Sequence, residues 1–72
     1  MTPERLREVM HDLAMSDGQL IRALDVDDRR VRRWKSGERD IDPDVAAWLE
    51  GLAKYWQKNP PPIMRGKNRE NE

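Results

Sequence analysis

The chain has no cysteine and no phenylalanine, only four glycines, and no net charge, since 14 Lys and Arg balance 14 Asp and Glu beside a single histidine. Without cysteine there is no disulfide framework and no Cys-ligated zinc. His11, with no Cys or clustered carboxylate to join it, makes no recognisable metal site. No apolar run approaches the roughly 18 residues of a membrane span, and the opening MTPERLREVM lacks the hydrophobic stretch of a signal peptide. Apolar residues are also scarce, 36% against 39% charged, and in a chain of 72 residues that allows one small domain with a thin core. The expectation is a soluble, cytoplasmic protein. No phosphate-loop spacing is present, and no Ser or Thr has a nearby base, so neither catalysis, a cofactor nor a small-molecule ligand is expected.

A charge of zero argues at first against a nucleic-acid partner, for which a basic excess is the usual footprint. The average conceals a separation. Residues 22–39 hold seven basic and four acidic groups, whereas residues 1–21 hold two and four, and residues 40–57 one and four. Within the basic stretch, Arg29-Arg30-Val31-Arg32-Arg33-Trp34-Lys35 places five cations in seven residues.

The periodicity is helical throughout. Thr2-Pro3-Glu4 supplies a cap, a proline for the first turn and an early acid. Leu6, Val9, Met10 and Leu13 then repeat at i, i+3, i+4 and i+7, which predicts a helix from about Pro3 to about Ala14. Ser16 and Gln19 have capping-box spacing ahead of Leu20, Ile21, Ala23 and Leu24, the apolar face of a short second helix. Asp25-Val26-Asp27 interrupts the pattern, with Asp25 suited to a turn and Asp27 to a cap. These acids, with Asp28, fit turn and cap positions better than a catalytic carboxylate pair. A third helix starts near Asp28 and ends near Ser36, where Gly37 suits the left-handed position beyond a helix end. Asp42-Pro43-Asp44 repeats the first start signal, and Val45, Trp48, Leu49, Leu52, Ala53 and Trp56 keep helical spacing to about Lys58. Asn59 and three prolines stop that helix. The expected architecture is an all-α domain of four helices, or five, over residues 1–58, followed by a Pro-rich segment and a polar, flexible tail over residues 59–72.

On a wheel of about 100° per residue, Val31 and Trp34 define the inner face of the third helix, while Arg29, Arg32, Arg33 and Ser36 centre on the opposite side. No acid is expected on that outer face, so its arginines lack the i, i+4 compensation of an ordinary solvated helix. A helix about 10–12 Å across fits a major groove about 12 Å wide, and a guanidinium can bond guanine O6 and N7 together.

From Ser16 to Pro43 these residues resemble the helix-turn-helix of the phage repressor and Cro-like group, the Xre family. The resemblance is carried by Leu20, Ile21, Leu24, Val26, Val31, Trp34, Gly37, Arg39, Ile41 and Pro43, and most specifically by Val31-Arg32-Arg33-Trp34-Lys35-Ser36-Gly37-Glu38-Arg39. Ile21 stands where the family has a small residue, Asp25 where it has the turn glycine, and Pro43 comes one residue late. The resemblance implies a lambda-repressor-like domain that regulates transcription, as a repressor, by placing its third helix in the major groove of double-stranded DNA. It makes Asp28, Arg29, Arg32 and Arg33 the base-contact candidates. Asp28 either accepts from cytosine N4 or complements the helix N-terminus. Ser16, Gln19, Arg30, Lys35, Ser36 and Arg39 are the phosphate candidates, Gln19 having the capping box as its other role.

In the fourth helix Trp48 and Tyr55 lie to one side of the inner face. With Leu52 and Trp56 they form either ordinary core or a homodimer interface, over which Ile63 and Met64 would fold. A dimer would read an inverted repeat with half-site centres about 34–36 Å apart. The alternative function is a protein-interaction module, antitoxin-like or adaptor, that uses the same aromatic surface. A single-strand or RNA binder fits less well, because Trp34, the only aromatic among the cations, points inward.

Overall fold

The computed structural model of the protein describes residues 1–62. Four helices account for its regular structure: α1 (Pro3–Asp12), α2 (Asp17–Leu24), α3 (Asp28–Ser36) and α4 (Pro43–Lys58). Among the described residues there is no strand. The expected Ile63 and Met64 contact lies outside the described residues, as does most of the tail.

Local chemistry sets the helix starts. The Thr2 hydroxyl accepts from the Arg5 amide at 3.1 Å, and the Asp27 carboxylate accepts from the Arg30 amide at 3.0 Å. Ser16 and Gln19 form the capping box in both directions, the Ser16 amide donating to Gln19 Oε1 at 2.8 Å and the Gln19 amide to Ser16 Oγ at 3.2 Å. α4 departs from the pattern, since Asp42 makes no side-chain cap bond. Its backbone carbonyl still accepts from the Ala46 amide at 2.9 Å.

One helix end differs from the sequence expectation. α1 stops at Asp12, two residues early, because Ala14 turns left-handed at φ 53°. That turn lets the Ala14 amide donate to the His11 carbonyl at 3.1 Å and the Met15 amide to the Met10 carbonyl at 2.8 Å, the bond pair that closes a helix without glycine's help. Alanine is costly there, since the left-handed region places its Cβ against the following carbonyl. Ala14→Gly is therefore expected to stabilise the fold by about 0.5–1 kcal/mol in denaturant unfolding. An unchanged or lowered midpoint would show that the turn carries no strain. Asp25 at φ 54° closes α2 in the same way, with the Val26 amide on the Ile21 carbonyl at 3.2 Å. Gly37, at φ 85°, closes α3 as its sequence position predicts.

The core is the inner stripe of each helix: Leu6, Val9, Met10 and Leu13 from the α1 region, Leu20 from α2, Val31 and Trp34 from α3, Ile41 from the connection, and Leu49 and Ala53 from α4. No polar or charged residue is buried among them. α3 packs against both α1 and α2, whereas the backbone of α4 comes close to that of α1 alone.

Polar ties fix these seams. Arg7 Nη1 donates to the Lys35 carbonyl at 2.7 Å, holding the end of α3 to α1. A Cβ on Gly37 would stand 3.5 Å from Pro3 Cγ, so the start of α1 also lies against that end. Across the α1–α4 seam Arg5 grips Glu50 with two bonds, Nε to Oε2 at 3.0 Å and Nη2 to Oε1 at 2.6 Å, and it also pairs with Glu8. The hydrogen bond from Arg5 holds the Glu50 carboxyl below the ordinary glutamate range. A carboxylate with a depressed folded-state pKa adds stability above its unfolded pKa and loses it as the pH falls through the folded value. Acidification below the usual glutamate titration should thus lower the thermal midpoint modestly, and Glu50→Gln should remove that part of the pH dependence. Identical pH profiles for the two proteins would rule the pair out as its source.

Candidate nucleic-acid interface

α3 owes its two faces to residue spacing. Val31 and Trp34, three residues apart, are fully buried. Asp28, Arg29, Arg32, Arg33 and Ser36 fall on the other side and are exposed, with Arg30 half-buried at the edge. Asp27 caps the helix at the turn, and Gly37 releases the chain so that Arg39 returns beside it, its amide donating to the Arg33 carbonyl at 3.2 Å.

Three adjoining surface depressions cover this face. The largest, about 410 Å³, is lined by Asp25, Asp27, Arg29, Arg30, Arg33 and Arg39. Another, about 280 Å³, lies over Arg29, Arg32, Arg33, Ser36 and Glu38. The third runs along Asp27, Asp28, Arg29 and Arg32. Arg29 borders all three and is the centre of the cationic surface. Arg29, Arg30 and Arg39 have no carboxylate at ion-pair distance among the described residues.

One expectation is corrected. The outer face does contain acid: Asp28 Oδ2 pairs with Arg32 Nη2 at 2.9 Å, and Glu38 Oε2 stands 3.8 Å from Arg33 Nε. Asp28 reaches Arg32 through ordinary i, i+4 geometry. Glu38 reaches back because the left-handed Gly37 reverses the chain. The first pair was legible in the spacing; the second required the course of the chain beyond the helix. Both pairs are well exposed, and ion pairs of that kind contribute only about 0–1 kcal/mol, so an incoming anion or base edge can exchange with the carboxylate.

The other candidates divide by what already occupies them. Ser16 and Gln19 are exposed at the start of α2, with their acceptor atoms committed to the capping box. The Ser16 hydroxyl proton and the Gln19 amide group remain as donors. Ser36 Oγ donates to the Arg33 carbonyl at 3.2 Å and accepts from the Glu38 amide at 3.3 Å, which ties it to the helix end. Lys35 is not gathered with the arginines. Its Nζ binds both oxygens of Asp17, at 3.0 and 3.2 Å, and its side chain is about two-thirds covered. Asp17 and Lys35 thus brace α2 against α3, a role invisible in a sequence where they lie 18 residues apart.

The aromatic surface of α4 is split. Trp48 and Tyr55 are exposed, Tyr55 at 65% of its area. Leu52 and Trp56 are half-buried against the core. His11 is exposed on α1, and no group of three or more His, Cys, Asp or Glu side chains is placed to hold a metal ion among the described residues. No helix among them is long and apolar enough to cross a membrane. Set against known protein families, curated proteins and solved structures, the chain matches none of them.

Proposed function

We propose that the protein is a sequence-specific regulator that binds double-stranded DNA, a helix-turn-helix repressor of the phage repressor and Cro-like kind acting in the cytoplasm, with α3 in the major groove. The observation that carries this reading is the division of α3: Val31 and Trp34 wholly buried on one side, and Arg29, Arg32 and Arg33 exposed together on the other. In that docking geometry the start of the reading helix meets base edges and the helix before it crosses the phosphates. Arg29, Arg32 and Arg33 then face guanine, and Asp28 either orients Arg32 or accepts from cytosine. Arg30 and Arg39, with the donors left on Ser16, Gln19 and Ser36, serve the backbone. Lys35, held by Asp17, contributes its charge to the field rather than a contact.

The test is selection from a random duplex library at low and raised salt. Enrichment of an inverted repeat with half-site centres about 34–36 Å apart supports the reading and a paired mode of binding. Binding that is uniform across sequences and collapses with salt would leave only non-specific attraction. The exposed Trp48 and Tyr55 favour a second reading, a protein-interaction module working through α4. A folded protein that selects no duplex yet forms a defined complex through those two residues would establish it.

A further inference from the structure

The arginine face carries an acid that neither the helix nor the packing calls for. Glu38 is the one carboxylate lining the depression over Arg29, Arg32, Arg33 and Ser36. Its side chain is 70% exposed, and an ion pair as open as the one it makes with Arg33 adds little to stability. It also follows directly after Gly37, beyond the last turn of α3, where the helix dipole favours cations and disfavours an acid. Asp28, the other acid paired on this face, differs: it stands in the first turn, where the dipole accounts for it.

The backbone holds Glu38 at this place. Gly37, at φ 85°, reverses the chain. The Glu38 amide donates to Ser36 Oγ at 3.3 Å, and Ser36 Oγ donates to the Arg33 carbonyl at 3.2 Å. The Arg39 amide donates to that same carbonyl at 3.2 Å. Bonds on both sides of Glu38 thus lead back to Arg33. A newcomer can take Arg33 from the carboxylate, since Oε2 stands 3.8 Å from Nε, but it cannot send the carboxylate far. The outcome then depends on the newcomer. A phosphate offers only acceptors and a negative charge, so it meets a like charge beside Arg33. A major-groove base edge is neutral. Guanine offers O6 and N7 to the guanidinium, and an adjacent cytosine N4 or adenine N6 offers the carboxylate an amino donor. Arg33 alone would serve phosphate or base; Arg33 with Glu38 favours the base.

We propose that Glu38 is a specificity-determining residue of the arginine face, whose carboxylate disfavours phosphate at Arg33 and accepts from a base amino group beside the guanine that Arg33 reads. Discrimination then comes from a repulsive element as well as an attractive one. This role rests on the DNA reading above and deepens it, by giving the means through which one arginine tells a base edge from the backbone.

The experiment is a fluorescence-anisotropy titration of the full chain with the duplex obtained by library selection and with an unrelated duplex of equal length, at one salt concentration. Loss of a negative charge through the general field strengthens both alike, so the ratio of the two affinities is the readout. Glu38→Gln, which keeps the shape and an acceptor oxygen, should lower that ratio about fivefold by tightening the unrelated duplex more than the selected one. In an Arg33→Ala background the same substitution should move the ratio by less than about twofold, because no arginine is left to guard. Glu38→Gln should melt no lower than wild type, since an acid opposed by the helix dipole is not missed, whereas a structural one would be. An unchanged ratio, an equal fall without Arg33, or a lowered midpoint overturns the proposal. A wild-type ratio near one would sink the DNA reading and this role with it. A high wild-type ratio that Glu38→Gln leaves in place would sink this role alone.

Discussion

Trp34→Ala is expected to leave the protein largely unfolded at room temperature, read as loss of helical circular dichroism and of a cooperative melt. Trp34 is the largest fully buried side chain, and it lies on the helix that packs against both α1 and α2. Truncating a buried tryptophan costs about 3–5 kcal/mol in lost transfer energy and cavity formation. A domain of this size has only about 4–10 kcal/mol of stability in total. The indole makes a sharper comparison possible, because Trp34 Nε1 is buried and finds no acceptor among the described residues. An orphaned donor of that kind costs about 1–3 kcal/mol. Trp34→Phe should therefore cost clearly less than the lost ring volume alone suggests, leaving a folded protein with a lower midpoint. If the phenylalanine variant unfolds as fully as the alanine variant, the indole nitrogen is satisfied by something other than protein atoms.

The second large effect concerns the arginines. Arg33→Ala is expected to weaken binding to a selected duplex by roughly 1–3 kcal/mol, and Arg29→Ala by a similar amount. Neither should change affinity for unrelated duplex much beyond the loss of one charge. Arg39, beyond the end of α3 and beside the largest depression, should behave differently. Arg39→Ala should weaken all sequences alike and reduce the salt slope by about one. Competition binding at two salt concentrations separates these outcomes. If Arg29→Ala, Arg33→Ala and Arg39→Ala all bind every duplex like wild type, α3 is not a reading surface.

The parts of the fold that were legible are those written within four residues. Ser16 with Gln19, Asp27 with the Arg30 amide, and Pro43 at the start of α4 all act over one turn, and each helix starts where they predict. Val31 and Trp34 show their inward face by spacing alone. The early end of α1 was not legible, because Ala14, which takes the left-handed position, has no glycine's signature. The inner face of α4 follows its spacing, with burial graded along it. Leu49 and Ala53 are buried, and Val45, Leu52 and Trp56 are half-buried against the core, since the backbone of α4 comes close to that of α1 alone. The pairs that close the seams, Arg5 with Glu50 and Lys35 with Asp17, join residues 45 and 18 positions apart. Either could have been written with many other partners, and only the tertiary arrangement selects between them.

The position of α1 between α3 and α4 has a mechanical consequence. The backbone of α4 comes close to that of α1 and of no other helix, across a seam gripped by Arg5 and Glu50. In a dimer joined through α4, the span between the two copies of α3 would be set by how α4 tilts on α1. What each copy of α3 contacts would be set by the chain from Asp28 to Arg39. Substitutions in the seam would retune the ruler without altering the letters it is laid against, and only acid strong enough to protonate Glu50, below the usual glutamate range, would slacken it.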